Sequence, residues 1–161
     1  MRGVTPLFLG ALMICVGAPI ATVAEDSSET LTSPAVNVVE VRIGAVLASN
    51  SGQEFDQRLA SLHRQFVALF PYTSYHLVKE ERQKVAWGGK AGFDIPGGRY
   101  VLVVPRELKN DRISMKVMVI EGARPIVDTV LSLRNHATFL VGGPHQPGGV
   151  LILSIGADTL P

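Results

Sequence analysis

From Tyr72 onward the chain is cut by turn signals at intervals that suit strands and little else: Gly88-Gly89, Pro96-Gly97-Gly98, Lys109-Asn110-Asp111, Glu121-Gly122-Ala123, Asn135-His136 and the Gly/Pro-rich loop 142–149. Glycine supplies positive φ and proline presets a turn, so such clusters punctuate a chain for a physical reason. Between them apolar residues recur with a period of two, most cleanly at Ile113, Met115, Val117 and Val119, with Ser114 and Lys116 in between. That alternation turns one face of a strand to a core and the other to water. The segments delimited in this way are 72–87, 91–95, 99–104, 113–119, 126–133 and 138–141, closed by the continuous apolar run 150–155. A long first strand precedes them through Val36, Val38, Val39, Val41, Ile43, Val46 and Leu47. One stretch keeps a different period: Phe55, Leu59, Leu62, Phe66 and Leu69, at spacings of three and four, form the stripe of an amphipathic helix that Pro71 stops. There is no βαβ alternation and no repeat at a fixed period. The expected fold is mainly β (α+β): an antiparallel sandwich or partly closed barrel of about eight strands, with one amphipathic helix after the first strand.

The N-terminus carries its own pattern. Arg2 is followed by an apolar run from Val4 to Ala18, then Pro19 and small residues, with Thr22 and Ala24 where a signal peptidase reads and acidic Glu25 and Asp26 just beyond. Residues 1–24 therefore read as a signal peptide cut after Ala24. Pro6, Gly10, Gly17 and Pro19 interrupt the run, which argues against a retained membrane span, and the bulky Ile14 before Cys15 argues against lipidation. Residues 25–35 are small and polar and read as a tether, 36–157 as one β-rich domain, and 158–161 as a tail. The expected destination is the periplasm, or else the extracellular space. Loss of the signal removes the single cysteine, and with it any disulfide, thiolate metal site or thiol nucleophile. It also removes Arg2 from the 15 basic residues, leaving 14 against 14 acidic ones. A neutral chain has no general attraction to nucleic acid or anionic lipid, so neither is an expected partner.

Motifs that carry chemistry are weak. Residues 87–92, 96–99 and 142–149 are glycine-rich, but each is expected to join two strands, and Ala91 stands after Lys90 where a phosphate loop needs Ser or Thr. The four histidines, His63, His76, His136 and His145, show no ligand spacing. No serine sits in a strained strand-to-helix turn, and Glu80 and Glu81 point to opposite faces of one strand. No catalytic, cofactor or metal residue is assigned, and no cofactor is expected. The least expected feature is the run Lys79-Glu80-Glu81-Arg82-Gln83-Lys84, which charges both faces of a strand whose ends keep Tyr75, Leu77, Val85 and Trp87. It reads as an edge strand guarded by charge against aggregation. A sharper reading makes this stretch a strand or ribbon that projects from the domain, with Lys79, Glu80, Glu81, Arg82, Lys84 and Trp87 as an edge that meets a partner.

The segments 70–77, 96–99 and 133–144, with the closing strand 149–153, resemble a group of small exported bacterial proteins known only as hypothetical. The resemblance spans nearly the whole mature chain and implies a bacterial periplasm. Its motifs are turns and core strands, so it brings no catalytic residue with it. The functional expectation is a non-enzymatic exported binding domain, an accessory part of a cell-envelope assembly whose partner is another envelope protein. The alternative is a periplasmic hydrolase or metal-binding protein whose site is assembled from distant residues.

Overall fold

The computed structural model describes residues 38–160. The expected signal peptide and its cleavage site, Cys15 and the expected tether at 25–35 lie outside the described residues. Eight strands form two four-stranded antiparallel sheets that do not close into a barrel. In chain order they are β1 (Val38–Ser49), β2 (Ser74–Ala86), β3 (Ala91–Ile95), β4 (Arg99–Lys109), β5 (Arg112–Glu121), β6 (Arg124–Arg134), β7 (Thr138–Gln146) and β8 (Gly149–Thr159). The first sheet has the order β2-β1-β8-β7 and the second β3-β4-β5-β6. β8 runs on to Thr159, so the expected tail begins as strand.

The alternation read from the sequence decides how the sheets stack. Val39, Val41, Ile43 and Ala45 on β1 and Leu151, Leu153, Ile155 and Ala157 on β8 face Phe93, Val101, Val103 and the run Ile113, Met115, Val117, Val119 across the sandwich. Burying the sixteen larger side chains of this cluster, each worth roughly 1.5–3 kcal/mol, supplies the main drive for the fold. Turn chemistry fixes the hairpins. Asn110 and Asp111 have φ of 51° and 58°, and they join β4 to β5 as the two-residue turn whose twist matches that of antiparallel strands.

The opposite face of the first sheet carries the helix. Gln57–Leu62 winds as a 3-10 helix and passes directly into α1 (His63–Leu69). Leu59 and Phe66 pack on Val46, Ala48, Tyr75, Leu77, Leu140 and Ile152 in a second, smaller core. The helical stripe is thus only partly as expected. Phe55 stays outside the helix and bridges to Tyr75, while Leu69 is exposed and Phe70 turns inward instead. Leu69 is the last residue of α1 and Phe70 is already extended, so where the chain leaves the helix it is the Phe70 ring that reaches the second core.

The C-terminal hairpin forms as expected, but its glycine-rich loop is shorter. Gly142 and Gly143 lie within β7, a bulge falls between Gly142 and His145, and only Pro147-Gly148 turns the chain. β8 lies between β1 and β7 and is buried on both faces, with Leu151, Leu153 and Ile155 in the sandwich and Ile152 under the helix.

Candidate binding surface

A two-sheet sandwich has two flanks, and here they differ. On one flank β2 of the first sheet meets β3 of the second. The bulge at Val78, where β1 moves from Ala45 to Val46, switches the faces of β2, so Leu77 lies under the helix while Lys79, Glu81 and Gln83 turn toward β3. The Gln83 amide donates to the Gly92 carbonyl at 2.5 Å and accepts from the Gly92 N–H at 3.3 Å, taking the place of a neighbouring strand. Lys79 donates to the Asp94 carbonyl at 2.6 Å and pairs with Glu81 at 3.1 Å. Hydrogen bonds from Gln83 and then Lys79 hold the Glu81 carboxyl below its usual range. This flank is closed by polar side chains.

The charged run therefore does not project as a ribbon. β2 pairs with β1 along its length as an edge strand. Lys79 and Glu81 are spent on the seam; Glu80 and Arg82 turn to the outer face, Lys84 is exposed, and Trp87 is half-buried against the sandwich core. Sequence reasoning could find the charges but not this division, because the bulge that reverses the faces leaves no signal in the residue pattern.

Glu80 and Arg82 belong to a polar cleft of about 180 Å³ beside the helix, floored by Gly44, Ser154 and Gly156 and walled by Arg42 and Arg58. Each arginine already has an acid: Arg82 meets Glu80 at 3.0 Å, Arg42 meets Asp158 at 3.4 Å, and Arg58 meets Asp56 at 2.6 Å. A cleft so compensated has little electrostatic pull on an anion. Asp56 accepts from the backbone N–H groups of Arg58 and Leu77, capping the 3-10 helix and tying it to β2. The Arg58 contacts hold its carboxyl well below the usual carboxylate range.

One arrangement has the residue types of a hydrolase. Ser74 Oγ lies 3.2 Å from His76 Nε2, and Glu54 Oε2 lies 3.3 Å from the same atom. A relay needs the serine and the acid on different ring nitrogens, so that one takes the proton while the other holds the tautomer. Both partners here compete for Nε2, and Ser74 is buried, so the geometry does not activate a nucleophile. The other histidines are scattered: His63 packs edge-on to Phe55, His136 pairs with Asp158 at 2.9 Å, and His145 is exposed on β7. No group of three His, Cys, Asp or Glu side chains converges among the described residues.

The other flank, between β6 and β7, is open. An apolar cleft of about 70 Å³ enters the sandwich there, lined by Val127, Thr129 and Leu131 of β6, Phe139 and Val141 of β7, and the core side chains behind them. Ligand sites for small molecules run to roughly 300–1,000 Å³, so this cleft suits one or two aliphatic side chains. Around it Ile126, Val127 and Phe139 are exposed, at 44%, 39% and 39%, and Val130 is exposed at 54% on the outward face of the same strand. β6 is exposed along most of its length, and no strand pairs its outer edge among the described residues. The residues 126–133 were legible as a strand, but alternation cannot say that the strand ends up at an uncovered edge.

No family model, curated protein or solved structure matches the chain.

Proposed function

We propose that this protein is a non-enzymatic binding domain of the bacterial cell envelope, exported by its N-terminal segment, and that it takes its partner on the open flank between β6 and β7. The partner presents an extended apolar strand, which adds to the free edge and sends alternate side chains into the cleft. One observation carries the reading: the β2–β3 flank is closed by side chains that mimic strand pairing, whereas the β6–β7 flank leaves apolar core within reach of solvent. Exposed apolar surface beside an unpaired edge is costly to keep in an isolated domain and is the usual mark of an interaction site.

The test is site-specific photocrosslinking in intact cells. A photoreactive residue at Val127 should give a defined adduct whose crosslinked peptide maps to one extended apolar segment, and the same residue at Lys84 should not. Equal labelling from both positions, or none from Val127, would refute the assignment of the flank.

A further inference from the structure

The two sheets have four edge strands, and three of them are blunted. β2 is charged and sealed to β3, β3 has only five residues, and β7 carries a bulge and Pro144, which removes a donor. β6 has its proline, Pro125, and its bulge confined to the first three residues and is regular over the eight from Val127 to Arg134, with a single acidic side chain, Asp128, along that length. Such an edge is a template for antiparallel pairing.

Its own sequence complements it. Two copies of β6 related by a two-fold axis can pair in several registers that keep the inward face inward. The register centred on Thr129 overlaps all eleven residues but sets Arg124 against Arg134 of the second copy at both ends. The register centred on Asp128 opposes two aspartates. Centring on Leu131 pairs residues 128–134 of each strand and sets Asp128 against Arg134 of the second copy, twice by symmetry. Centring on Val130 sets Asp128 against Ser132 and Arg134 against Ile126, with neither clash nor ion pair. Like charges directly opposite are destabilising and opposite charges favourable, so the Leu131 register, which alone of these four gains two ion pairs, is the one the charges favour, while apolar burial and backbone pairing supply the affinity. Arg134 is exposed and has no ion pair among the described residues, and Asp128 is half-exposed beside Lys116, at 3.3 Å, with room for a second cation. Leu131 then lies against Leu131 of the second copy on the inward side, and Val130 against Ser132 on the outward side.

We infer that the strand accepted by the open flank is β6 of a second copy, joining the two β3-β4-β5-β6 sheets into one continuous sheet across a two-fold axis. The inference rests on the reading of the flank as a strand-accepting surface and names its partner.

Sedimentation of the purified protein over a micromolar loading series should reveal a reversible dimer. Asp128→Arg and Arg134→Asp should each weaken it by about tenfold or more, and the double variant should restore it. Both positions are exposed, so circular dichroism should stay as in the wild type, and melting should change by no more than the few degrees that loss of the surface pair with Lys116 costs in Asp128→Arg. An independent readout of register uses the Cys15→Ser chain: Leu131→Cys should form a disulfide-linked dimer under mild oxidation and Thr129→Cys should not. A monomer at every concentration, a dimer indifferent to the single reversals, or crosslinking at Thr129→Cys in place of Leu131→Cys overturns the inference. If the protein is monomeric but Val127 crosslinks a different envelope protein, the inference falls and the strand-accepting flank stands; without any Val127 adduct, both fall.

Discussion

Two apolar strands, β8 and β6, have similar compositions and opposite surroundings, and truncation should separate them. Ile152 on β8 is fully buried and packs among Val46, Ala48, Phe66, Tyr75 and Leu140. Ile152→Ala removes three carbons, about 2.4 kcal/mol at roughly 0.8 kcal/mol each. The cavity left beneath the helix adds to this, because β1 and β7 hold β8 on both sides and limit collapse, for a total of about 3–4 kcal/mol. For a domain of this size that is a fall in Tm of roughly 10–20 °C. Ile126→Ala on β6, at a position 44% exposed, should cost under about 1 kcal/mol. Ile152→Asp should not fold at all, since an unpaired carboxylate buried there costs a large part of a total stability of roughly 5–15 kcal/mol. Thermal melts followed by circular dichroism, with urea titrations for ΔG, measure all three. If Ile152→Ala melts no lower than Ile126→Ala, or Ile152→Asp folds as a stable monomer, then β8 is not an internal strand and the assignment of the docking edge to β6 loses its basis.

Two further outcomes follow from the helix side of the first sheet. Tyr75 donates its buried hydroxyl to the Phe70 carbonyl at 3.0 Å, where the chain leaves α1, so Tyr75→Phe should cost about 1 kcal/mol in urea titration while leaving the secondary structure unchanged. Asp56→Asn should lower Tm at neutral pH by weakening the tie from Arg58 and Leu77 to the helix start. Because the folded carboxyl titrates well below its unfolded value, the stability that Asp56 contributes is present above about pH 4 and is lost as the pH falls further. The Tm gap between wild type and Asp56→Asn should therefore narrow as the pH is lowered from neutral toward 2; a constant gap would show that the charge of Asp56 plays no part.

Strand identity and turn positions were local properties and could be read directly. The Asn110-Asp111 turn, the alternation from Ile113 to Val119 and the unbroken run from Val150 to Ile155 each have a single structural solution, because side-chain direction in a strand has a strict period of two and turns demand particular φ values. The continuous apolar character of β8 even announced that both its faces would be covered. The charge run marked β2 as an edge strand, but for β6, which carries no such marker, no local pattern could decide position across a sheet. Val127 and Val130 on β6 look as well suited to a core as Leu151 and Leu153 on β8, yet β8 lies between two strands and β6 has a neighbour on one side only. In the same way the charged stretch of β2 was visible, but the bulge at Val78 determined that Lys79, Glu81 and Gln83 would close one flank. Strand order and face reversal depend on which distant segments pair, and that is settled by the burial of the whole chain at once; the open flank is therefore a property of the tertiary structure alone.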